Sequence, residues 1–277
     1  MHQILIAAAP ISMELVTLGD RRRAVQRLIR DAAKAGAKLV CLPEFVDAQR
    51  THEAVAYTDH HYYHLSGKYR EGVFVQMIQA EARAHKIGVL YGQCAFVGKK
   101  LLNLAISVDK RGKILGSYAK THLAPDEGPE GGMSAGDKIA PLPTDFGPVG
   151  VVTCYEVNFP EIARTQAARG ARFLYVPTAG NSDAYFTLAR ARAAENVLPL
   201  VFASYSMERG TKSDACGAGI VDAFGKVLVK TTKGTKVLCA EIDLDAPVGC
   251  PVWHGRWPKE DLRAFLRKRI RRTLYAK

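Results

Sequence analysis

Residues 32–45 read Ala32-Ala33-Lys34-Ala35-Gly36-Ala37-Lys38-Leu39-Val40-Cys41-Leu42-Pro43-Glu44-Phe45. The stretch holds a helix end, a stop at Gly36 and an apolar strand from Lys38 to Leu42 that Pro43 closes. The chain repeats it with one deletion as Ala167-Ala168-Arg169-Gly170-Ala171-Arg172-Phe173-Leu174-Tyr175-Val176-Pro177. Working outward, Ile4 to Ala9 reads as a buried strand. After Asp20, a predicted N-cap, residues Val25, Leu28, Ile29, Ala32 and Ala33 recur at the spacing of one apolar helix face. Strand, helix and strand in this length make a βαβ unit. Two related halves predict an α/β fold in which two sheets face each other, each covered outside by helices. No Ser- or Gly-rich linker separates the halves, so residues 1–277 read as a single domain.

The rest of the chain follows the same alternation. Val73 to His85 is a predicted helix; Ile87 to Phe96, Leu102 to Val108 and Lys113 to Tyr118 are predicted strands. Pro125 to Gly136, with four glycines and two prolines, reads as a long functional loop. Val149 to Thr153 is a strand ending at Cys154, and Pro160 suits the first position of the helix after it. Phe173 to Val176, Leu198 to Ser204 and Val237 to Ile242 are further strands, Leu188 to Asn196 a helix, and Ala218 to Val229 a hairpin around Phe224-Gly225.

Of the 277 residues, 48% are hydrophobic and 24% charged, which excludes disorder, collagen and coiled coil. No run approaches the roughly 18 apolar residues that span a bilayer. Ile4 to Ile11 lacks a basic flank and is read as a strand, not a signal peptide. Six cysteines without a CxxC pair fit neither a disulfide framework nor a zinc ribbon and predict a reducing, cytoplasmic setting. The net charge is +12, and seven bases between Arg263 and Lys277, with no acid among them, account for more than half of it. With Leu262, Phe265, Leu266, Ile270 and Leu274 near helical spacing, residues 262–277 read as a basic amphipathic helix or tail. Docking against the body is the ordinary fate of such a helix; nucleic acid or anionic membrane is the competing one.

Three polar residues stand where packing alone would not place them. Glu44 closes an apolar strand, Lys120 follows Leu115-Gly116-Ser117-Tyr118, and Cys154 sits between a strand and a proline-started helix. The carboxyl ends of strands are where α/β sheets hold ligands. Singly, each has a plain explanation: a loop carboxylate, a surface lysine, a buried small thiol. Together they supply a base, a cation and a nucleophile, the set that acyl transfer requires.

These residues also carry a family resemblance. Leu42-Pro43-Glu44-Phe45, Lys120-Thr121-His122-Leu123 and Cys154-Tyr155-Glu156-Val157-Asn158-Phe159-Pro160-Glu161 resemble, in order and spacing, the three signature segments of the nitrilase superfamily, the carbon–nitrogen hydrolases. Asn103-Leu104-Ala105, Gly136-Asp137, Val176-Pro177-Thr178 and Arg192-Ala193-Ala194-Glu195-Asn196 agree with it. The resemblance implies a four-layer α-β-β-α sandwich that pairs into a homodimer. It implies that Cys154 attacks the carbonyl carbon of a C–N bond and that Glu44 takes the thiol proton, later passing it to the leaving amine. Lys120 and the backbone N–H of Tyr155 would stabilise the oxyanion. On this view the Lys120 charge favours thiolate at Cys154, while Glu44 requires a raised pKa. The second glutamate of many members has two candidates, Glu127 and Glu130, with Glu127 preferred. Cys154-Tyr155-Glu156, in place of a Cys-Trp-Glu, points to amide or carbamoyl substrates.

The resulting expectation is a thiol amidohydrolase of a small linear amide or N-carbamoyl amine, with no cofactor and no metal. The alternatives are a nitrile-cleaving member and an idle binding protein of the same fold. His52, His60, His61 and His64 cluster, with His60 and His64 at i and i+4, but lack a glutamate–histidine helix motif. They read as a substrate-facing loop or a dimer surface. Cys41, Cys94, Cys216, Cys239 and Cys250 read as packing residues, and no Gly-Lys-Ser/Thr follows the glycines after Lys120 to make a phosphate loop.

Overall fold

Strand β1 (Gln3–Ala8) and strand β3 (Leu39–Cys41) lie parallel, joined through the short β2 (Ile11–Ser12) and helix α1 (Leu18–Lys34). This is the βαβ unit expected of the opening stretch. The computed structural model describes residues 2–12, 15, 17–47, 72–128, 132–180, 182–206, 217–245, 247 and 261–269. Helix α1 starts earlier than its apolar face suggests. Thr17, not Asp20, is the N-cap: its hydroxyl accepts the Asp20 N–H at 3.0 Å. Asp20 stands in the first turn, where its charge favours the positive end of the helix dipole.

Helix α2 (Val73–His85) leads into β4 (Gly88–Val97), β5 (Lys100–Val108) and β6 (Ile114–Ala119). With β13 (Leu238–Asp243) they complete a six-stranded sheet ordered β13-β1-β3-β4-β5-β6. The last strand returns to pair antiparallel with the first, Ile4 opposite Ile242. The second sheet starts at β7 (Val149–Val151). A 3-10 turn, Cys154–Asn158, and helix α3 (Pro160–Ala168) follow it, with Pro160 at the predicted place. Next come β8 (Phe173–Pro177), helix α4 (Asp183–Asn196), β9 (Leu200–Ala203), β10 (Tyr205–Ser206), β11 (Ala218–Val221) and β12 (Val227–Thr231). This sheet is ordered β12-β11-β9-β8-β7, and β10 pairs separately with β2. Helix α4 begins five residues before the predicted Leu188, because Ser182 caps it through the Ala184 N–H at 3.2 Å.

Period-two alternation fixes the layers. Leu39 and Cys41 join Ile6, Leu90, Phe173, Tyr175 and Val201 in the core between the sheets. Their neighbours Val40 and Leu42 face outward and pack with Val25, Leu28 and Ile29 of α1 and Ile78 of α2. In the second sheet Leu174 and Val176 do the same against Ile162 of α3 and Phe186, Ala189 and Ala193 of α4. The order is helix, sheet, sheet, helix: the four-layer sandwich expected from the internal repeat. Burying each large apolar side chain contributes about 1.5–3 kcal/mol.

Helix α5 (Leu262–Arg269) docks on this body. Leu262 and Phe265 are buried with Val197, and Arg263 donates to the Val197 carbonyl at 2.7 Å. The described part of the basic tail's apolar stripe is thus covered by the chain itself; Ile270 and Leu274 lie outside the described residues. No helix among the described residues is long and apolar enough to cross a membrane.

Candidate active site

The carboxyl ends of strands from both sheets meet at one point. β3 delivers Glu44, β6 delivers Lys120, β7 delivers Cys154 and β8 delivers Thr178 and Ala179. Glu44 and Lys120 are each 1% exposed, whereas Cys154 keeps part of its surface open. Glu44 Oε1 accepts from Lys120 Nζ at 3.1 Å and from Asn103 Nδ2 at 2.6 Å, and its Oε2 accepts the Ala179 N–H at 2.7 Å. Glu127 lies in the same cluster. Its Oε2 is 2.6 Å from Lys120 Nζ and 2.7 Å from the Ala124 nitrogen, and its Oε1 is 2.8 Å from Asn103 Nδ2. Asn103 therefore holds both carboxylates with one amide nitrogen, and its own carbonyl accepts the Lys120 N–H at 2.9 Å.

Burial sets the charges here. It pushes the Glu44 carboxyl up, and the Glu127 charge adds to that; Lys120 and Asn103 oppose it without prevailing. Burial alone would depress Lys120, but Glu44, Cys154 and Glu127 hold it well above the ordinary lysine range, so it stays charged. The Cys154 thiol is pushed up to about 11 by burial first and by Glu44 second; the Lys120 charge and a hydrogen bond from Thr178 only partly offset this. Lys120 pulls toward the thiolate, as expected, but burial outweighs it, with Glu44 adding to the burial, so the resting Cys154 is a thiol.

Two non-glycine residues flank this chemistry with left-handed backbone. Cys154 has φ +48° and Phe45, next to Glu44, has φ +54°. Such conformations cost about 1–2 kcal/mol each and persist only where the surroundings impose them. At Phe45 the imposing group is Tyr205, whose hydroxyl is shared between the Glu44 and Phe45 carbonyls at 2.9 and 2.8 Å. Arg21 Nη1 donates to the Tyr205 oxygen at 3.2 Å. Gly92 of β4 lies against the same bend: a Cβ there would come within 2.5 Å of the Glu44 Cα.

Glu44, Lys120, Cys154 and Glu127 lie together in this cluster. Glu130 lies outside the described residues, as do His52, His60, His61 and His64, Cys216 and Cys250. Cys41 and Cys94 are buried in the core, and Cys239 packs against it in part. Tyr155 stands in the first turn of the 3-10 segment, where backbone N–H groups have no carbonyl partner within the helix. Gly136, noted only as a motif residue, explains itself here. Its N–H donates to the Lys120 carbonyl at 2.8 Å, and a Cβ would lie 2.4 Å from the Ala119 carbonyl oxygen. Asn103, Thr178, Ala179 and Tyr205 were not assigned roles from the sequence. For Asn103 the available signal was a polar residue in the middle of an apolar strand.

This constellation can move a proton between a thiol and a carboxylate beside a fixed positive charge. The model of the family described as carbon–nitrogen hydrolase matches residues 6–247. An Arabidopsis thaliana protein named chloroplastic omega-amidase is 28% identical over 247 residues, 83% of this chain and 66% of that protein. A Homo sapiens protein named deaminated glutathione amidase is 30% identical over 233 residues, 79% of this chain and 70% of that protein. The chain thus spans about two thirds of the length of these relatives. The crystal structure of a carbon–nitrogen hydrolase from Helicobacter pylori superposes with a TM-score of 0.76 at 22% identity, covering 88% of this chain and 90% of that one. With the four-layer fold and the match over most of its length, this chain belongs to the carbon–nitrogen hydrolase family.

Proposed function

We propose that this protein hydrolyses the C–N bond of a small linear amide or N-carbamoyl amine through a thioester on Cys154. The observation that carries the reading is the buried cation, Lys120, held between Glu44 and Glu127 beside Cys154, whose thiol feels all three charges. The Cys154 sulfur attacks the carbonyl carbon as Glu44 takes the thiol proton. The oxyanion that forms is met by Lys120 and by the Tyr155 N–H. Glu44 returns the proton to nitrogen, the C–N bond breaks, and ammonia or an amine leaves a thioester. Glu44 then removes a proton from water; the resulting hydroxide adds to the thioester, and the sulfur departs with that proton. A raised Glu44 pKa suits both directions of transfer near neutral pH. Glu127 keeps Lys120 charged and placed.

Amides are favoured over nitriles because the nucleophile segment reads Cys154-Tyr155-Glu156 and because the named relatives are amidases. The reading includes a reducing compartment such as the cytoplasm, which a free thiol nucleophile needs, and pairing into a homodimer, which light scattering tests. Ammonia release across a panel of amides, carbamoyl amines and nitriles is the deciding experiment. Cys154→Ala should abolish it with the fold intact, and mass spectrometry should place an acyl adduct on Cys154. An adduct on Cys41 instead, or a nitrile as the preferred substrate, overturns the assignment.

A further inference from the structure

Glu156 is fully buried, and among the described residues no cation is bonded to it. Its Oε1 accepts from the Tyr118 hydroxyl at 2.7 Å, the Thr121 N–H at 2.8 Å, the Thr121 hydroxyl at 2.9 Å and, more weakly, the His122 N–H at 3.4 Å. Its Oε2 accepts the Thr153 N–H at 2.8 Å. The second bond is one half of an ordinary helix-capping box. The first group is not, because those donors come from the end of β6, about 35 positions away in sequence. They flank Lys120 on both sides, Tyr118 before it and Thr121 after it. Thr153 immediately precedes Cys154. One carboxylate therefore spans the two segments that carry the cation and the nucleophile.

We propose that Glu156 is a positioning residue, a strut that fixes the distance between Lys120 and Cys154. Only a carboxylate meets this geometry. A glutamine has the same shape but must point its amide N–H groups at one end of the span. Toward Thr153 they would face a backbone donor; toward Thr121 they would face another. The span then opens at one end while the side-chain volume is unchanged. The proposal rests on the catalytic reading of Lys120 and Cys154 given above.

The test is Glu156→Gln, with turnover of an accepted amide and the pH dependence of Cys154 alkylation by iodoacetamide as its two readouts. We expect kcat to fall about 10- to 100-fold with KM within about twofold, as a displacement near 1 Å can produce. The alkylation midpoint should move to higher pH, because Lys120 lowers the thiol's pKa less from farther away. Tyr118→Phe, which trims one donor, should move both readouts the same way by less, and the double variant should lose less than the product of the single losses. A lowered melting temperature with parental kcat and a parental alkylation profile overturns the proposal, leaving Glu156 as a fold residue. If Glu156→Gln does not fold, Tyr118→Phe and Thr121→Ala carry the same two readouts, and parental values in both overturn it. Alkylation needs no turnover, so an unmoved profile reports on the strut alone. Failure of the catalytic reading shows separately, as turnover that survives Cys154→Ala.

Discussion

The Lys120 ammonium lies nearer to Glu127, 2.6 Å from its Oε2, than to Glu44, 3.1 Å from its Oε1. Glu127 makes the shorter ion pair with the cation, and Glu44 shares that cation while burial raises its proton affinity. Glu127→Gln removes a negative neighbour from Glu44 and hands it the whole of Lys120. Both changes favour ionised Glu44. The expected result is a loss of kcat of about 10²-fold and an acid limb of the pH–rate profile displaced to lower pH. Steady-state rates across pH for parent and variant check both.

In the parent, that acid limb should stand above the usual carboxylate range. On the proposed mechanism Glu44 must be ionised to accept the thiol proton, so activity should rise as pH climbs through its raised value. Above that limb no alkaline fall is expected until pH approaches the Cys154 value of about 11. An acid limb in the ordinary glutamate range, or iodoacetamide alkylation of Cys154 that is half-maximal near neutral pH, contradicts this electrostatic picture.

Lys120→Arg should not rescue the cation. The site is closed around a compact ammonium with carboxylate oxygens at 2.6 and 3.1 Å, and a planar guanidinium cannot place its charge at the same point without moving them. We expect kcat/KM to fall by at least about 10²-fold. Near-parental activity in this variant shows that Lys120 is not the oxyanion's partner.

Gly92→Ala puts a methyl 2.5 Å from the Glu44 Cα and 3.0 Å from the Pro43 carbonyl oxygen, both backbone. The bend that carries Glu44 must shift, because no flexible side chain is there to yield. Activity should drop at least about 10-fold, with a stability loss of about 1–3 kcal/mol and an unchanged far-ultraviolet spectrum. Denaturant titration and kcat/KM on the same preparation separate the two effects.

What the sequence made legible was what periodicity and strand ends encode. The alternation in Leu39-Val40-Cys41-Leu42 and Phe173-Leu174-Tyr175-Val176 placed both sheets between layers of helices, and Glu44, Lys120 and Cys154 stood out as polar residues closing apolar runs. Local chemistry hid the rest. Thr17 caps α1 three residues ahead of the more conspicuous Asp20. Asn103 bonds the carboxylates of Glu44 and Glu127, 59 and 24 residues away, and Glu156, besides its local bond to Thr153, bonds partners 34 to 38 residues away; no spacing rule reads a bond of that span. The pull of Lys120 toward the thiolate was legible; the burial that outweighs it at Cys154 exists only in the packed fold.

The Glu44 carboxylate takes a backbone N–H from Ala179, 135 residues on and just past the end of β8 in the opposite sheet. Neither half of the sandwich can assemble this site by itself. Long loops must close before that bond forms, and contacts so distant along the chain are the slow ones in folding. On refolding from denaturant, helix and strand signals should therefore recover before turnover, and catalytic activity should return with the slowest kinetic phase. The enzyme serves as its own reporter of the last step, the docking of one sheet on the other.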